Sequence, residues 1–200
     1  HLEDLRWTII KSGSALVVAM IVCLLAAPVI VDFLQWPMQQ AKIDGRPIAE
    51  QVTLDFLSPL GPIMTTLKLA FYTGLVLGLP FILYYIAEFV VPALKAKEKK
   101  YFFTAFTIGT GFFLGGVIIC YFYILPISLQ ALIKYNQWLG VKSEIWRAED
   151  FYEFVTKFLL GVGLLFEVPV LILTLVKLEI IEHKLLVKGR KYMFVANFAF

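Results

Sequence analysis

A chain of 200 residues has room for one ordinary domain, yet 60% of it is hydrophobic, only 16% is charged and its mean hydropathy is +0.82. That excludes a water-soluble globule, because a soluble chain carries about 25% charged residues to solvate its outside. The net charge of +3 is too small for a nucleic-acid footprint and matters only through where the basic residues fall.

In chain order, the first stretch, His1 to Arg6, sets Leu2 and Leu5, with Ile9 beyond, at helical spacing and acids beside them, which reads as an interfacial helix. No charge follows from 12 to 31 or from 69 to 87, intervals that match the roughly 20 residues a helix needs to cross a bilayer. Residues 101–133 are also charge-free, longer than one helix requires, so the third span is placed near its start with Pro126 at its outer end. Residues 158–176 have the right length and are interrupted only at their centre, by Glu167. A last apolar stretch, 192–200, is too short to cross and reads as the beginning of a fifth span of a longer protein. The expected fold is therefore all-α and polytopic, one transmembrane domain over 1–200. Its spans are near 12–33, 66–87, 103–126 and 155–177, with 192–200 cut short and outer segments at 34–65 and 127–153. The first span is too long for a signal peptide and is expected to stay in the mature protein.

Basic residues set the orientation. Arg6, Lys11, Lys95, Lys97, Lys99, Lys100, Lys184, Lys188, Arg190 and Lys191 fall on one side, against Lys42, Arg46, Lys134, Lys142 and Arg147 on the other. That excess predicts a cytoplasmic N-terminus. The first outer segment is punctuated by Pro37, Gly45, Pro47, Pro59, Gly61 and Pro62 around a stretch, 48–57, expected to be helical and to lie along the membrane surface. The second carries Trp138, Trp146, Phe151 and Tyr152, aromatics suited to an interfacial belt.

Three constellations carry chemistry. Glu167 lies at mid-span, where insertion scales put a carboxylate at about 2.5–3.5 kcal/mol, so it needs a wet cavity, a partner or a proton. It serves either function or packing, and Gly161, Gly163 and Pro169 allow a close helix approach or a kink on their own. Glu3 and Asp4 are acids on an otherwise basic side, placed to hold a cationic partner or to pair with Arg6 or Lys97. Glu98 stands among four lysines after a break at Pro92, and could simply balance them. Cys23 and Cys120 stand in apolar runs and read as small hydrophobes, so no metal and no cofactor is implied. There is no His-Glu-x-x-His, Gly-x-Ser-x-Gly or phosphate loop, and the chain does not read as an enzyme.

Six segments in order, His1-Leu2-x-Asp4-Leu5-Arg6, Trp36-Pro37, Ser58-Pro59 leading to Lys68-Leu69, Phe89-x-x-Pro92-Ala93-Leu94 with Glu98, Phe166-Glu167-Val168-Pro169 and Arg190-x-Tyr192, resemble TatC, the multispanning core of the twin-arginine protein translocase. The resemblance implies a six-span, glove-shaped protein of the prokaryotic plasma membrane, with a thylakoid membrane the second choice. It implies recognition of Arg-Arg signal peptides of folded proteins at the cytoplasmic face, oligomers with single-span TatA/TatB-type subunits, and transport driven by the proton gradient. Carried over by motif, Glu98 and Asp4 would hold the arginines, with Arg6 and Phe89 in the same site, and Glu167 would meet the partner helices inside the membrane. Pro37, Pro92, Pro126 and Pro169 would be structural. Where the family usually has Glu this chain has Asp4, one methylene shorter, and where it usually has Arg this chain has Thr8. The competing reading is a proton- or ion-coupled small-solute transporter with Glu167 as coupling acid, a class that usually shows internal repeats, of which none is visible.

Overall fold

The computed structural model describes residues 2–43, 45–93, 96–141 and 145–177, with the side chains of residues 2, 93, 96–98, 175 and 177 outside the description. The expected span at 192–200 and the basic residues after 177 fall outside the described residues. Helix α1 runs Leu2–Leu25 and α2 Ala27–Gln40, followed by the short strands β1 (Lys42–Ile43) and β2 (Arg46–Pro47), a single turn α3 (Ile48–Gln51) and β3 (Thr53–Asp55). Then come α4 (Gly61–Val90), a 3-10 turn Val91–Ala93, α5 (Ala96–Ile119), a π turn Cys120–Ile124, α6 (Leu125–Trp138), β4 (Ile145–Arg147) and α7 (Ala148–Lys177).

Among the described residues, four helical runs are long and apolar enough to cross a membrane: Glu3–Leu25, Gly61–Val90, Lys99–Trp138 and Ala148–Thr174. The chain is thus a polytopic helical membrane protein. In hydrocarbon, backbone N–H and C=O groups find no water, so a spanning segment must bond them to itself, and the helix does this. The irregular backbone between α2 and α4 and between α6 and α7 gathers at one end of the bundle, here called the cap. The start of α1, the α4–α5 connection and the end of α7 form the opposite, open end.

Segment 48–57, expected to be helical, is one helical turn and then a strand. β3 pairs in parallel with β4, with Thr53, Leu54 and Asp55 opposite Ile145, Trp146 and Arg147, so the two outer segments are stitched together. The β1–β2 hairpin turns at Gly45 with φ +80°, a conformation that glycine adopts without strain. The Gln51 side-chain amide donates to the carbonyls of Ile43 and Arg46, both at 3.1 Å, and ties the hairpin to α3.

Pro126 does not end the helix that contains it. It lacks an N–H for the carbonyl four residues back, and the wider π turn Cys120–Ile124 precedes it, letting the helix run on to Trp138. At about 1.5 Å per residue, a run this long exceeds the roughly 30 Å of hydrocarbon, so its last turns belong to the cap.

Packing differs between the two zones. The continuous core lies toward the cap, where Leu34, Met38, Ile48, Leu125, Leu129, Phe151 and Val155 are buried together. Tyr121 stacks on Phe33 with centroids 4.2 Å apart and donates its hydroxyl to the Phe33 carbonyl at 2.6 Å. The Gln35 amide reaches the Tyr152 hydroxyl at 2.5 Å and joins α2 to α7. Within the membrane zone, α1 lies along α4, and most of α1 is otherwise exposed. The approach rests on Gly74, where a Cβ would come within 3.0 Å of the Met20 backbone, and on Gly78 beside Ala19. Because Met20 presents backbone there, Gly74→Ala has to push the helices apart. We expect a loss of about 1–3 kcal/mol in detergent unfolding, while Gly13→Ala, at a position with nothing within 4 Å, stays near wild type.

Candidate functional site

Two regions carry charge in places that the fold makes special. At the open end, Glu3 and Asp4 occupy the first turn of α1, where acids meet the positive end of the helix dipole. Asp4 and Arg6 are exposed, and the Thr8 hydroxyl donates back to the Asp4 carbonyl at 2.9 Å, so Thr8 is used within the helix. Phe89 is half-buried on the last turn of α4, and Pro92 sits in the 3-10 turn that separates α4 from α5. Glu98 lies in the first turn of α5, the dipole-favoured end; its side chain is outside the description.

One contact at this end is absent from the sequence reading. Lys11 Nζ lies 3.3 Å from both carboxylate oxygens of Glu88 and 6.0 Å from the centroid of the Tyr85 ring. These two charges are the ones that bound the first two uncharged intervals, and α1 against α4 brings the boundaries level. The signal was there in halves: each marked the edge of a span, but nothing in the sequence sets the register between the two.

Within the apolar run of α7, Glu167 is only 6% exposed. It packs against Gly109 of α5, where an added Cβ would lie 2.5 Å from Glu167 Oε1. Gly116 and Gly163 make the same helix pair close, facing Phe166 and Phe113. Glu167 Oε2 is buried without a hydrogen-bond partner among the described residues, and so is the hydroxyl of Thr110, next to Gly109. The carboxyl is thus wedged between α5 and α7. A buried polar group without a partner costs about 1–3 kcal/mol, more if charged, so this oxygen is a standing demand for a donor or a proton. A cavity of about 300 Å³ opens one turn toward the open end, lined among others by Ala105, Ile108, Val170 and Leu173. Its threonines, Thr104 and Thr174, donate to Lys100 and Val170 carbonyls on their own helices, which leaves the lining apolar in effect.

The four prolines fall at different kinds of place. Pro37 is buried inside α2, Pro126 is buried at the start of α6, and Pro169 is exposed inside α7 two residues from Glu167. Pro169 removes one backbone bond from the turn that carries the carboxyl. Both cysteines are buried free thiols.

At the cap side, Lys68 of α4 lies 2.6 Å from Glu153 of α7, which also takes Lys157 on its second oxygen. Arg147 pairs with Glu149 at 2.9 Å, and Glu149 Oε1 overlies Gly61 at the start of α4, so a carboxylate again meets a helix N-terminus. The Lys68–Glu153 pair fastens α4 to α7 at the cap. None of these pairs was singled out from the sequence.

Among the described residues, four helices of spanning length, an acid buried between two of them, a charged open end and ion pairs at the cap define a helical membrane protein. The profile of the family described as Sec-independent protein translocase protein (TatC) matches residues 1–200. The chain belongs to that family. It is 31% identical to the TatC protein of Carboxydothermus hydrogenoformans over 198 residues, covering 99% of this chain and 77% of that one. Against the TatC protein of Akkermansia muciniphila it is 35% identical over 133 residues, 66% of this chain but 38% of the relative. A crystal structure of the twin arginine translocase receptor TatC superposes with a TM-score of 0.81 at 27% identity, over 100% of this chain and 85% of that one.

The wedge at Gly109 makes a direct prediction. Gly109→Ala places a methyl where Glu167 Oε1 lies, and because a carboxyl at the end of a flexible side chain can rotate, the helices hold while the acid is expelled. We expect faster modification of Glu167 by a hydrophobic carbodiimide in Gly109→Ala than in wild type, read by mass spectrometry, with Gly111→Ala, in open space, as the unchanged control.

Proposed function

We propose that this chain is the receptor core of a twin-arginine translocase in a prokaryotic plasma membrane, with its N-terminus cytoplasmic and its cap outside. Signal peptides of folded proteins bind at the open end through Glu98 and Asp4, bordered by Arg6 and Phe89. The observation that carries the reading is the likeness over the full chain to a structure described as the twin arginine translocase receptor. The basic bias of the sequence supports the orientation, since ten Lys and Arg are counted on the side of the N-terminus against five on the other, an excess that adding Lys68 and Lys157 at the cap does not remove. Physically, a guanidinium pairs with a carboxylate through two parallel hydrogen bonds, and two acids can address two arginines. Movement of cargo is driven by the proton gradient and needs no nucleotide.

The binding half is tested by photocrosslinking a peptide bearing Arg-Arg, and one bearing Lys-Lys, to the membrane-embedded protein. Wild type is expected to prefer Arg-Arg. Glu98→Gln should lower that crosslinking by about tenfold, the worth of one charge-assisted pair, and Asp4→Asn by less. Undiminished crosslinking in the double variant would overturn the assignment.

Glu167 is proposed to meet a polar side chain of single-span TatA/TatB-type subunits in an oligomer, or water that accompanies them. Its unpartnered Oε2 supports this, since a donor there gains a bond that the isolated chain does not make. Glu167→Ala should reduce crosslinking to a partner helix and lower transport while peptide binding at the distant open end stays normal. A variant that loses thermal stability in detergent but keeps partner contact and transport would make the residue structural only.

A further inference from the structure

Resting on the receptor reading, we propose that Glu88 and Tyr85 form a guanidinium subsite at the open end that Lys11 of the same chain fills in the absence of peptide, and from which a signal-peptide arginine displaces it.

Both residues belong to the last turns of α4, three positions apart and so on one face of the helix. Glu88 offers two acceptor oxygens, each 3.3 Å from Lys11 Nζ, and the Tyr85 ring faces the same ammonium at 6.0 Å. A carboxylate beside an aromatic face is a better receptor for arginine than for lysine. The planar guanidinium takes both oxygens through parallel N–H donors and lays its plane on the ring, whereas an ammonium is a point charge that does each less well. Two long contacts from one nitrogen are what a stand-in cation makes in a site of that shape.

Among the described residues, the hold on Lys11 is loose. Its side chain is 46% exposed and that of Glu88 52%, so water competes at both groups. Exposed pairs of this kind contribute about 0–1 kcal/mol, which an incoming arginine can exceed. The place also fits, because Glu88 precedes by one residue the half-buried Phe89 and by four the Pro92 turn that leads to Glu98. Lys11 stands two turns along α1 from Asp4. The subsite therefore stands on α1, which also carries Asp4, and on the end of α4, which precedes α5 and its Glu98 in the chain, and is reached from the same end.

The ordering of variants separates this from a plain strut between α1 and α4. If Lys11 is a competitor, Lys11→Ala empties the subsite and should tighten binding of the Arg-Arg peptide by about two- to fivefold. Lys11→Arg fills it with a better ligand and should weaken binding below wild type. Glu88→Gln should weaken the Arg-Arg peptide by about tenfold, and Tyr85→Leu should narrow the preference for Arg-Arg over Lys-Lys. If Lys11 is a strut, the order inverts, with Lys11→Arg at least as good as wild type and Lys11→Ala worst. That inversion, or indifference of peptide binding to Lys11 and Glu88 alike, overturns the subsite. The measurement is equilibrium binding of fluorescent Arg-Arg and Lys-Lys peptides to the purified protein in nanodiscs, with each variant first shown to be monodisperse and of wild-type thermal stability. The two readings fail differently. Wild type with no preference between the peptides removes the receptor assignment and the subsite together. A clear preference that is lost in Glu98→Gln but is blind to Lys11 and Glu88 removes the subsite alone.

Discussion

Hydrocarbon offers no hydrogen bonds to a peptide backbone, and the architecture follows from that lack. Each crossing segment is helical because only a helix satisfies its own N–H and C=O groups. The hairpin, the β3–β4 pair and the turn between α4 and α5 lie at the two ends, where water or cap residues can complete their bonding. The same solvent removes the usual force that presses helices together, since lipid tails are as apolar as leucine. Contacts in the membrane zone therefore rely on close backbone approach at Gly74 and Gly78 on one helix pair and at Gly109, Gly116 and Gly163 on the other. Toward the cap, apolar side chains bury against one another in one cluster, as they would in a soluble protein.

What could be read from the sequence was what depends on the bilayer, and what could not was what depends on register. Uncharged intervals revealed four helices because one charge in hydrocarbon costs more than any local propensity provides. Pro126 does not stop its helix, since a proline ends a helix only if nothing upstream absorbs the missing bond, and the π turn at Cys120–Ile124 absorbs it. Strands β3 and β4 are three residues each and pair across about ninety positions, so neither alternation nor turn chemistry announces them. The stretch expected to be an interfacial helix is shortened to α3 because its later residues bond to β4 instead.

The site residues divide along the same line. Glu167 was conspicuous as a lone acid in an apolar run, but its seat against Gly109 needs the alignment of α5 with α7, which no local pattern encodes. Lys11 and Glu88 were visible only as the ends of two spans. Their meeting, and the tie of Glu153 to Lys68, appear once α1, α4 and α7 are placed side by side.

On the proposed reading, the two polar regions suit different tasks because they differ in solvation. At the open end the carboxylates are hydrated, so each pair is weak and exchangeable, and selectivity has to come from shape: two oxygens and a ring plane distinguish guanidinium from ammonium where charge alone does not. A receptor that must release its cargo peptide gains from that weakness. At Glu167 water is scarce, one oxygen lacks a partner, and a single donor is therefore worth more than any pair at the surface. A helix that brings such a donor is held by one contact, and its departure leaves the carboxyl unsatisfied again. Weak, multiple and shape-selective contacts at the face and one strong contact at mid-depth are what let a single chain sample many peptides while keeping few partners.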